Sequence, residues 1–153
     1  MSESPKFIFF WEGVFSNFYP IGGDESFTSE KIYMAQKAMA FHDMEGLKLI
    51  NHASTPRIAK KLGRTIKGFD EKVWEELRTE AMLHALHIKF AACPEFRDAL
   101  RASGNLILVE ASPYDRIWGI GFAEGEALEN ENKWGLNLLG KCLMTIRHFY
   151  YGT

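Results

Sequence analysis

The sequence predicts an α+β fold that is predominantly helical and contains few, short strands. Apolar residues recur at helical spacing over residues 70–92, and the capping sequence Ser54-Thr55-Pro56 begins another helix. Two short runs, Phe7–Trp11 and Leu106–Glu110, have the composition of strands. With 153 residues, 46% of them hydrophobic, the chain is long enough for one compact domain spanning residues 1–153.

Capping residues, prolines at helix starts and helical periodicity predict that most of the remaining chain is helical. Ser26 or Thr28 caps the first helix, and Pro94 opens the fifth. The expected helices cover approximately residues 28–42, 44–51, 56–63, 70–92, 94–102 and 136–150. Residues 113–134, which are rich in glycine and acidic side chains, are expected to form a loop.

Composition narrows the class of function. The formal net charge of -2, with 18 basic and 20 acidic residues mixed along the chain, gives no sustained cationic surface, which argues against a dedicated DNA or RNA scaffold. The aromatic content of 14% exceeds what the core of a domain this size needs, so flat ligands that stack on rings are expected.

Cellular location also follows from composition. The N-terminal apolar run is too short for a signal-peptide core, and no stretch approaches the roughly 20 apolar residues of a membrane span. We therefore expect a cytoplasmic protein without a membrane partner, and no obligate protein partner is evident. Cys93 and Cys142 lie far apart in sequence and are expected to be reduced core thiols.

The motifs of several cofactor and metal sites are absent. His84 and His87 are three residues apart on a helix, but no H-E-x-x-H sequence accompanies them, so we expect core or surface histidines and no metal. The glycines form neither the dinucleotide fingerprint nor a Walker sequence, and no serine-nucleophile elbow occurs. No cofactor is expected.

The first long helix carries a polar stripe. Glu30, Tyr33 and Lys37 return to one face at about 100° per residue. The opposite positions are assigned to apolar side chains: Met34, Ala38 and Phe41. One interpretation is a solvated face with a loose ion pair. The other is a carboxylate and an amine lining a pocket, where burial lowers the lysine pKa and makes the amine nucleophilic.

A loop follows the second predicted strand. Residues 114–121 bring Asp115, Trp118 and two glycines, including Gly119, to the end of the strand, where scaffolds often present side chains to ligands. One interpretation of Trp118 is a stacking wall for a base. The other is a surface loop with one tryptophan packed into the core.

Several stretches of the chain match a known protein family in order and in spacing. They are Val14–Pro20, Thr28–Ala38, Ala59–Arg64, Trp74, Ala85–Phe90, Leu108–Glu110, Asp115–Gly121 and Asn137–Met144. Together they resemble the YbiA-like, or NADAR, proteins over nearly the whole chain. This co-linearity is more specific than any single motif among them.

The resemblance implies a helical α+β domain of the YbiA-like type and N-glycosidase activity toward phosphoribosyl substrates. Family members are associated with hydrolysis of the ribosylamino-pyrimidine phosphates of early riboflavin biosynthesis, and others with removal of ADP-ribose from modified guanine. The expected partner is therefore a small phosphoribosyl or ADP-ribosyl substrate, with ADP-ribosylated nucleic acid as a further expected substrate.

The resemblance also implies roles for individual residues. The catalytic carboxylate corresponds to Glu30 and the active-site lysine to Lys37, while Asp115 or Glu110 would hold hydroxyls or protonate the leaving nitrogen. The other positions expected to bind substrate are Ser16, Asn17, Phe18, Tyr33, Trp118, Gly119 and Asn137. Arg57, Arg64 and the helix N-terminus near Asn137 are candidates for the phosphate.

Two functions of different class remain open. The first is an enzyme in which Glu30 stabilises positive charge on the sugar, with Lys37 as a nucleophile that opens the ring to a Schiff base. The second is a non-catalytic module that binds ADP-ribose or a related nucleotide. The presence of both residues favours the enzyme, because a module that only binds could dispense with a lysine whose burial costs free energy.

Overall fold

The computed structural model describes residues 6–153, which form an α+β arrangement dominated by helices. The elements in chain order are β1 (Phe7–Phe10), α1 (Ser29–Ala40), α2 (Met44–Asn51), α3 (Pro56–Gly63), α4 (Glu71–Ala92), α5 (Pro94–Ala102), β2 (Ile107–Glu110), α6 (Glu124–Ala127), a 3-10 helix (Leu128–Lys133) and α7 (Leu138–Tyr151). The predicted fold class is confirmed.

These elements group into two compact units. The terminal unit comprises residues 6–16 and 95–153, and the central unit comprises residues 17–94. The expectation of one domain over residues 1–153 stays a prediction, which a single cooperative unfolding transition would support. Within residues 6–153, no helix is long and apolar enough to cross a membrane.

Side-chain caps explain where the central helices begin. The Thr28 and Thr55 hydroxyls each accept a first-turn N–H at 3.2 Å, at the starts of α1 and α3. The Asp70 carboxylate accepts two N–H groups at the start of α4, at 3.0 and 3.3 Å. Each cap satisfies donors that the helix itself leaves unpaired. The caps at Thr28 and Thr55 are start signals on which the sequence-based boundaries rested, whereas the start of α4 was predicted from apolar periodicity.

Helix α1 is the hub of the central unit. It packs against α2, α3 and α4, and its buried face includes Met34 and Ala38. At the crossing with α3, a side chain on Gly63 would overlap the Met34 sulfur. The two helices therefore approach closely because position 63 has no Cβ.

The terminal unit is built on a parallel pair of strands. β1 and β2 run in register from the pair Phe7 and Ile107 to the pair Phe10 and Glu110. Helix α7 packs on β2, and a side chain on Gly140 would overlap the Leu108 carbonyl oxygen. Glycine at this position allows the helix to lie directly against the strand.

The expectation of a continuous loop over residues 113–134 is wrong in its second half. α6 and the 3-10 helix occupy Glu124–Lys133, and their acidic side chains at 124, 126, 129 and 131 are exposed. The Trp134 indole N–H donates to the Ala127 carbonyl at 2.8 Å, and its ring meets Phe7 edge-on at 5.3 Å. Tertiary packing of this tryptophan therefore orders a segment that lacks helical periodicity.

Close packing at Gly140 leads to a stability prediction. Gly140→Ala should lower the free energy of unfolding by about 1–3 kcal/mol, because the added methyl group must displace the β2 backbone. Gly125→Ala is the matched control, since a Cβ there meets nothing within 4 Å. Chemical denaturation of both variants tests this, and equal midpoints for the two would contradict it.

Candidate functional site

The polar stripe of α1 is buried in the central unit. Glu30 is 7% exposed and Tyr33 is 4% exposed, while Lys37 is half-buried. This burial excludes the solvated-face interpretation. Glu30 lies in the first turn of α1, where the helix dipole stabilises a carboxylate.

A turn before α1 holds its first residues in place. The Asn17 side-chain oxygen accepts a hydrogen bond from the Ser29 hydroxyl at 2.7 Å, and the Asn17 carbonyl accepts the Glu30 N–H at 3.0 Å. Asn17 is itself buried, whereas Phe18 is 40% exposed with the Lys60 ammonium 5.8 Å above its ring. Asn17 therefore anchors the Glu30 backbone, and Phe18 presents a ring to solvent.

Lys37 lies in an environment that lowers the pKa of its side chain. Its Nζ donates to the Gly63 carbonyl at 2.9 Å and lies 4.6 Å above the Phe69 ring. Burial lowers the pKa of Lys37, the nearby Arg64 lowers it further, and the carboxylates of Glu71 and Glu30 oppose the change. A lowered lysine pKa raises the fraction of nucleophilic amine.

Aromatic rings line the side of α1 that carries Lys37. The rings of Tyr33 and Trp74 lie 5.4 Å apart, and Phe41 lies 5.3 Å from Phe69. The placement of Phe41 on the opposite face of the helix is wrong. Phe41 follows Lys37 by four residues, about one helical turn, so it lies on the Lys37 side of α1 and packs on the same Phe69 ring that Lys37 covers.

The two arginines proposed for the phosphate differ in position. Both are exposed on the α3 segment, Arg57 in its first turn and Arg64 at its C-cap. Arg64 is near enough to Lys37 to lower its pKa. Arg57 has no described interaction with this cluster in the part of the chain that the structure covers. Arg64 is therefore the better supported phosphate candidate.

In the terminal unit, the loop after β2 is shaped by Asp115. One Asp115 carboxylate oxygen accepts the N–H groups of Ile117 and Trp118 at 2.8 and 2.9 Å. Such an Asx-type turn gives this oxygen a structural role, in contrast to the catalytic role implied by the resemblance. Trp118 is half-buried, so the structure leaves both interpretations of its ring open.

Gly119 and Glu110 form the base of the same loop. A Cβ on Gly119 would lie 2.9 Å from the carbonyl oxygens of Asp115 and Glu110 and 3.0 Å from the Glu110 carboxylate. The loop can close onto the end of β2 because position 119 is glycine. The half-buried Glu110 side chain therefore lies directly against the Asp115–Gly119 loop.

Asn137 has a structural role that the sequence did not indicate. It is buried at the N-cap of α7, but its side chain makes no capping bond to that helix. Its amide oxygen instead accepts the Glu110 N–H, and its amide nitrogen donates to the Leu108 carbonyl, both at 3.0 Å. These contacts direct the amide at the β2 backbone, and the expected substrate-binding role of Asn137 stays a prediction.

Sequence reasoning missed two buried cations. Arg147 donates to the Ser103 hydroxyl at 2.9 Å and to the Leu106 carbonyl at 2.8 Å. Lys89 is fully buried on α4, with its ammonium 5.6 Å from the Tyr19 ring centre. The signal was available for Lys89, which falls in register with the apolar stripe through Met82 and Leu86.

An open groove of about 460 Å³ lies between α1 and α4. Its walls include Gln36 and Met39 from α1 and Leu77 and His84 from α4. Glu30, Tyr33 and Lys37 do not line the groove, but Trp74 does, and its ring lies 5.4 Å from that of Tyr33. Among residues 6–153, no three histidine, cysteine, aspartate or glutamate side chains are placed to hold a metal ion.

Lys89 should make stability depend on pH. Burial lowers the pKa of Lys89 to about 7, whereas the pKa of a lysine in the unfolded chain is about 10.4. Between these values unfolding takes up a proton, so the free energy of unfolding rises with pH above about 7 and falls as pH decreases through it. Burial raises the pKa of Cys142 to about 11, an opposite effect confined to pH above about 9.

The expected wild-type increase between pH 7 and 9 is at most about 1.4 kcal/mol per pH unit from Lys89. Lys89→Met removes the titrating group, so its unfolding free energy should change less over this range. Urea denaturation of both proteins at pH 7, 8 and 9 measures the difference. Parallel pH profiles would show that Lys89 does not carry the effect.

Similarity to known proteins extends along the chain. The family model described as NADAR domain matches residues 9–149. N-glycosidase R617 of Acanthamoeba polyphaga mimivirus is 35% identical over 164 residues, covering 95% of this chain and 96% of that protein. The chloroplastic riboflavin biosynthesis protein PYRR of Zea mays is 35% identical over 157 residues, covering 92% of this chain but 24% of that longer protein.

The fold is also similar to a solved structure. The NMR structure of the E. coli protein YbiA superposes with a TM-score of 0.74 at 32% sequence identity, covering 97% of this chain and 86% of that one. The similarity in structure and the family match over residues 9–149 agree with the order of motifs in the sequence. This chain is a member of the NADAR domain family.

Proposed function

We propose that this protein is an N-glycosidase that hydrolyses the bond between a nitrogen base and C1 of a phosphorylated ribose. The observation that carries the proposal is the buried face of α1, where Glu30 is 7% exposed and shares a helix face with the half-buried Lys37. A carboxylate in such a site acts at low effective dielectric, where its field on a developing charge is strong.

The chemistry follows from the charge that develops on the sugar. As the C–N bond lengthens, C1 and the ring oxygen become positive, and the Glu30 carboxylate stabilises that charge. Water adds to C1, and its proton passes to solvent or to the departing nitrogen. The backbone hydrogen bond from Glu30 to Asn17 holds the carboxylate on a fixed first turn, which reduces the reorganisation needed in the transition state.

Lys37 supplies a covalent route to the same products. The neutral amine attacks C1, the base leaves with the bonding electron pair and a proton, and the opened sugar forms a Schiff base with Nζ. Water then hydrolyses the imine and releases the sugar phosphate. The lowered pKa of Lys37 supports this role, because it increases the amine available for attack near neutral pH.

The substrate class is proposed from the relatives. The similarity to PYRR favours a ribosylamino-pyrimidine phosphate, and ADP-ribosylated guanine is the second candidate that the family resemblance implies. Tyr33, Trp118 and Glu110 stay predicted substrate-binding residues. Arg64 is the proposed phosphate contact, since it is exposed and acts electrostatically on Lys37.

Glu30→Gln should lower kcat by about 10²- to 10⁴-fold, because it removes the charge that stabilises the sugar cation. Glu45→Gln is the matched control: Glu45 also lies in a first helical turn, but its side chain is 86% exposed. The assay follows release of ribose 5-phosphate or ADP-ribose by mass spectrometry from both candidate substrates. Ligand binding without release by the wild type would favour the non-catalytic binding module.

Borohydride trapping tests the covalent route. Reduction during turnover should convert the imine to a stable amine and add to the peptide containing Lys37 the mass of the sugar phosphate less one oxygen atom, because imine formation loses water and reduction adds two hydrogens. Lys31 is the internal control, since this half-buried lysine of the same helix donates to the Ala53 carbonyl at 3.1 Å and should stay unmodified. An active enzyme that forms no adduct, together with an active Lys37→Ala variant, would exclude the Schiff base.

A further inference from the structure

Two exposed aromatic rings in the terminal unit lie in contact with each other. Trp11 is 47% exposed and Tyr114 is 86% exposed, and their ring centres are 5.9 Å apart with the ring planes inclined at 59°. Exposed aromatic rings that touch leave apolar faces in water, which is unfavourable unless a ligand covers them. Neither residue is used by the chemistry proposed for Glu30 and Lys37.

The pair lies where parallel strands commonly present ligand-binding groups. Trp11 directly follows β1, and Tyr114 follows β2 by four residues, after strands that end together at the pair Phe10 and Glu110. Ligands of parallel sheets bind beyond the carboxyl ends of the strands. Tyr114 also immediately precedes Asp115, which begins the loop expected to contact a base.

The backbone beneath the two rings is held by hydrogen bonds. The Ala111 N–H donates to the Phe10 carbonyl at 2.7 Å, which extends the strand pairing to the point where both chains leave it. The Tyr114 N–H approaches the Ser112 hydroxyl at 3.4 Å, and the Asp115 turn fixes the residues that follow. Rings on an ordered backbone bind flat ligands at a low cost in conformational entropy.

The charged residues beside Trp11 and Tyr114 indicate what kind of ligand the two rings would bind. The neighbouring Glu12 is exposed and acidic, and Asp115 follows Tyr114, so the groups beside the rings favour a flat, uncharged ring with N–H groups at its edge, and the phosphate of a nucleotide would lie away from these carboxylates. We propose that Trp11 and Tyr114 form a stacking site for the nucleobase of a nucleotide ligand. The identity of this ligand rests on the proposed function, whose substrates contain a base.

A second exposed aromatic pair provides the control. Phe149 and Tyr150 are adjacent residues of α7, with ring centres 4.9 Å apart and planes at 78°. They are 70% and 39% exposed, but they belong to α7 and not to the segments that follow the carboxyl ends of β1 and β2. Phe149→Ala therefore removes a comparable ring without altering the proposed stacking site.

The test measures binding of adenosine 5′-monophosphate by quenching of tryptophan fluorescence. Tyr114→Ala should weaken binding by about 5- to 150-fold, the effect of losing one base–aromatic stack. Tyr114→Phe keeps the ring and should bind like the wild type, as should Phe149→Ala. Ribose 5-phosphate, which has no base, should bind equally to the wild type and to Tyr114→Ala.

Unchanged affinity of Tyr114→Ala for adenosine 5′-monophosphate would overturn the inference. Binding of an oligonucleotide but not of the mononucleotide would overturn the assignment to a nucleotide ligand. The sugar-phosphate release assay on the wild type, run beside this titration, separates this inference from the proposed function. Loss of affinity on changing Tyr114, in a protein without glycosidase activity, would support the stacking site while the proposed function failed.

Discussion

The packing of α1 against α2, α3 and α4 is the constraint on which the candidate catalytic cluster depends. Glu30 lies in the first turn of α1, at the positive end of the helix dipole. Lys37 lies seven residues later on the same face, in the last turn of the helix. The dipole favours the protonated lysine there by about 0.3–1 kcal/mol. The pKa of Lys37 is nevertheless lowered, so the loss of hydration on burial outweighs the dipole together with the carboxylates of Glu30 and Glu71.

Local signals made most of the fold predictable. Thr28, Thr55 and Asp70 act through hydrogen bonds within one turn, and Pro56 acts through its fixed φ, so the sequence nearby carries the information that sets each helix start. The segment Glu124–Lys133 depends on the adjacent Trp134, whose ring packs against β1 more than 120 residues earlier in the chain, and its helices were therefore missed. Helical periodicity also did not predict the burial of Glu30 and Tyr33, because it shows which residues share a helix face but not whether other elements cover that face.

The candidate site residues also differ in whether their roles could be predicted from local sequence. Glu30 and Lys37 were identifiable because residue type and helical spacing place them together. The structural roles of Asp115 and Asn137 were not, because both depend on backbone groups brought near by loop and strand geometry. Lys89 is a charged residue at a position where the helical pattern calls for an apolar one. Burial removes the hydration of its ammonium group, and its pKa therefore falls to about 7.

The two hydrogen bonds from Asn137 also complete the sheet. In a parallel ladder, a residue opposite Val109 would accept the N–H of position 110 and donate to the carbonyl of position 108, and the Asn137 amide does both. One side chain thus takes the place of a third strand along the outer edge of β2. An edge closed in this way is a poor template for pairing with another chain, so a single asparagine protects the β2 edge of this two-stranded sheet from intermolecular strand addition.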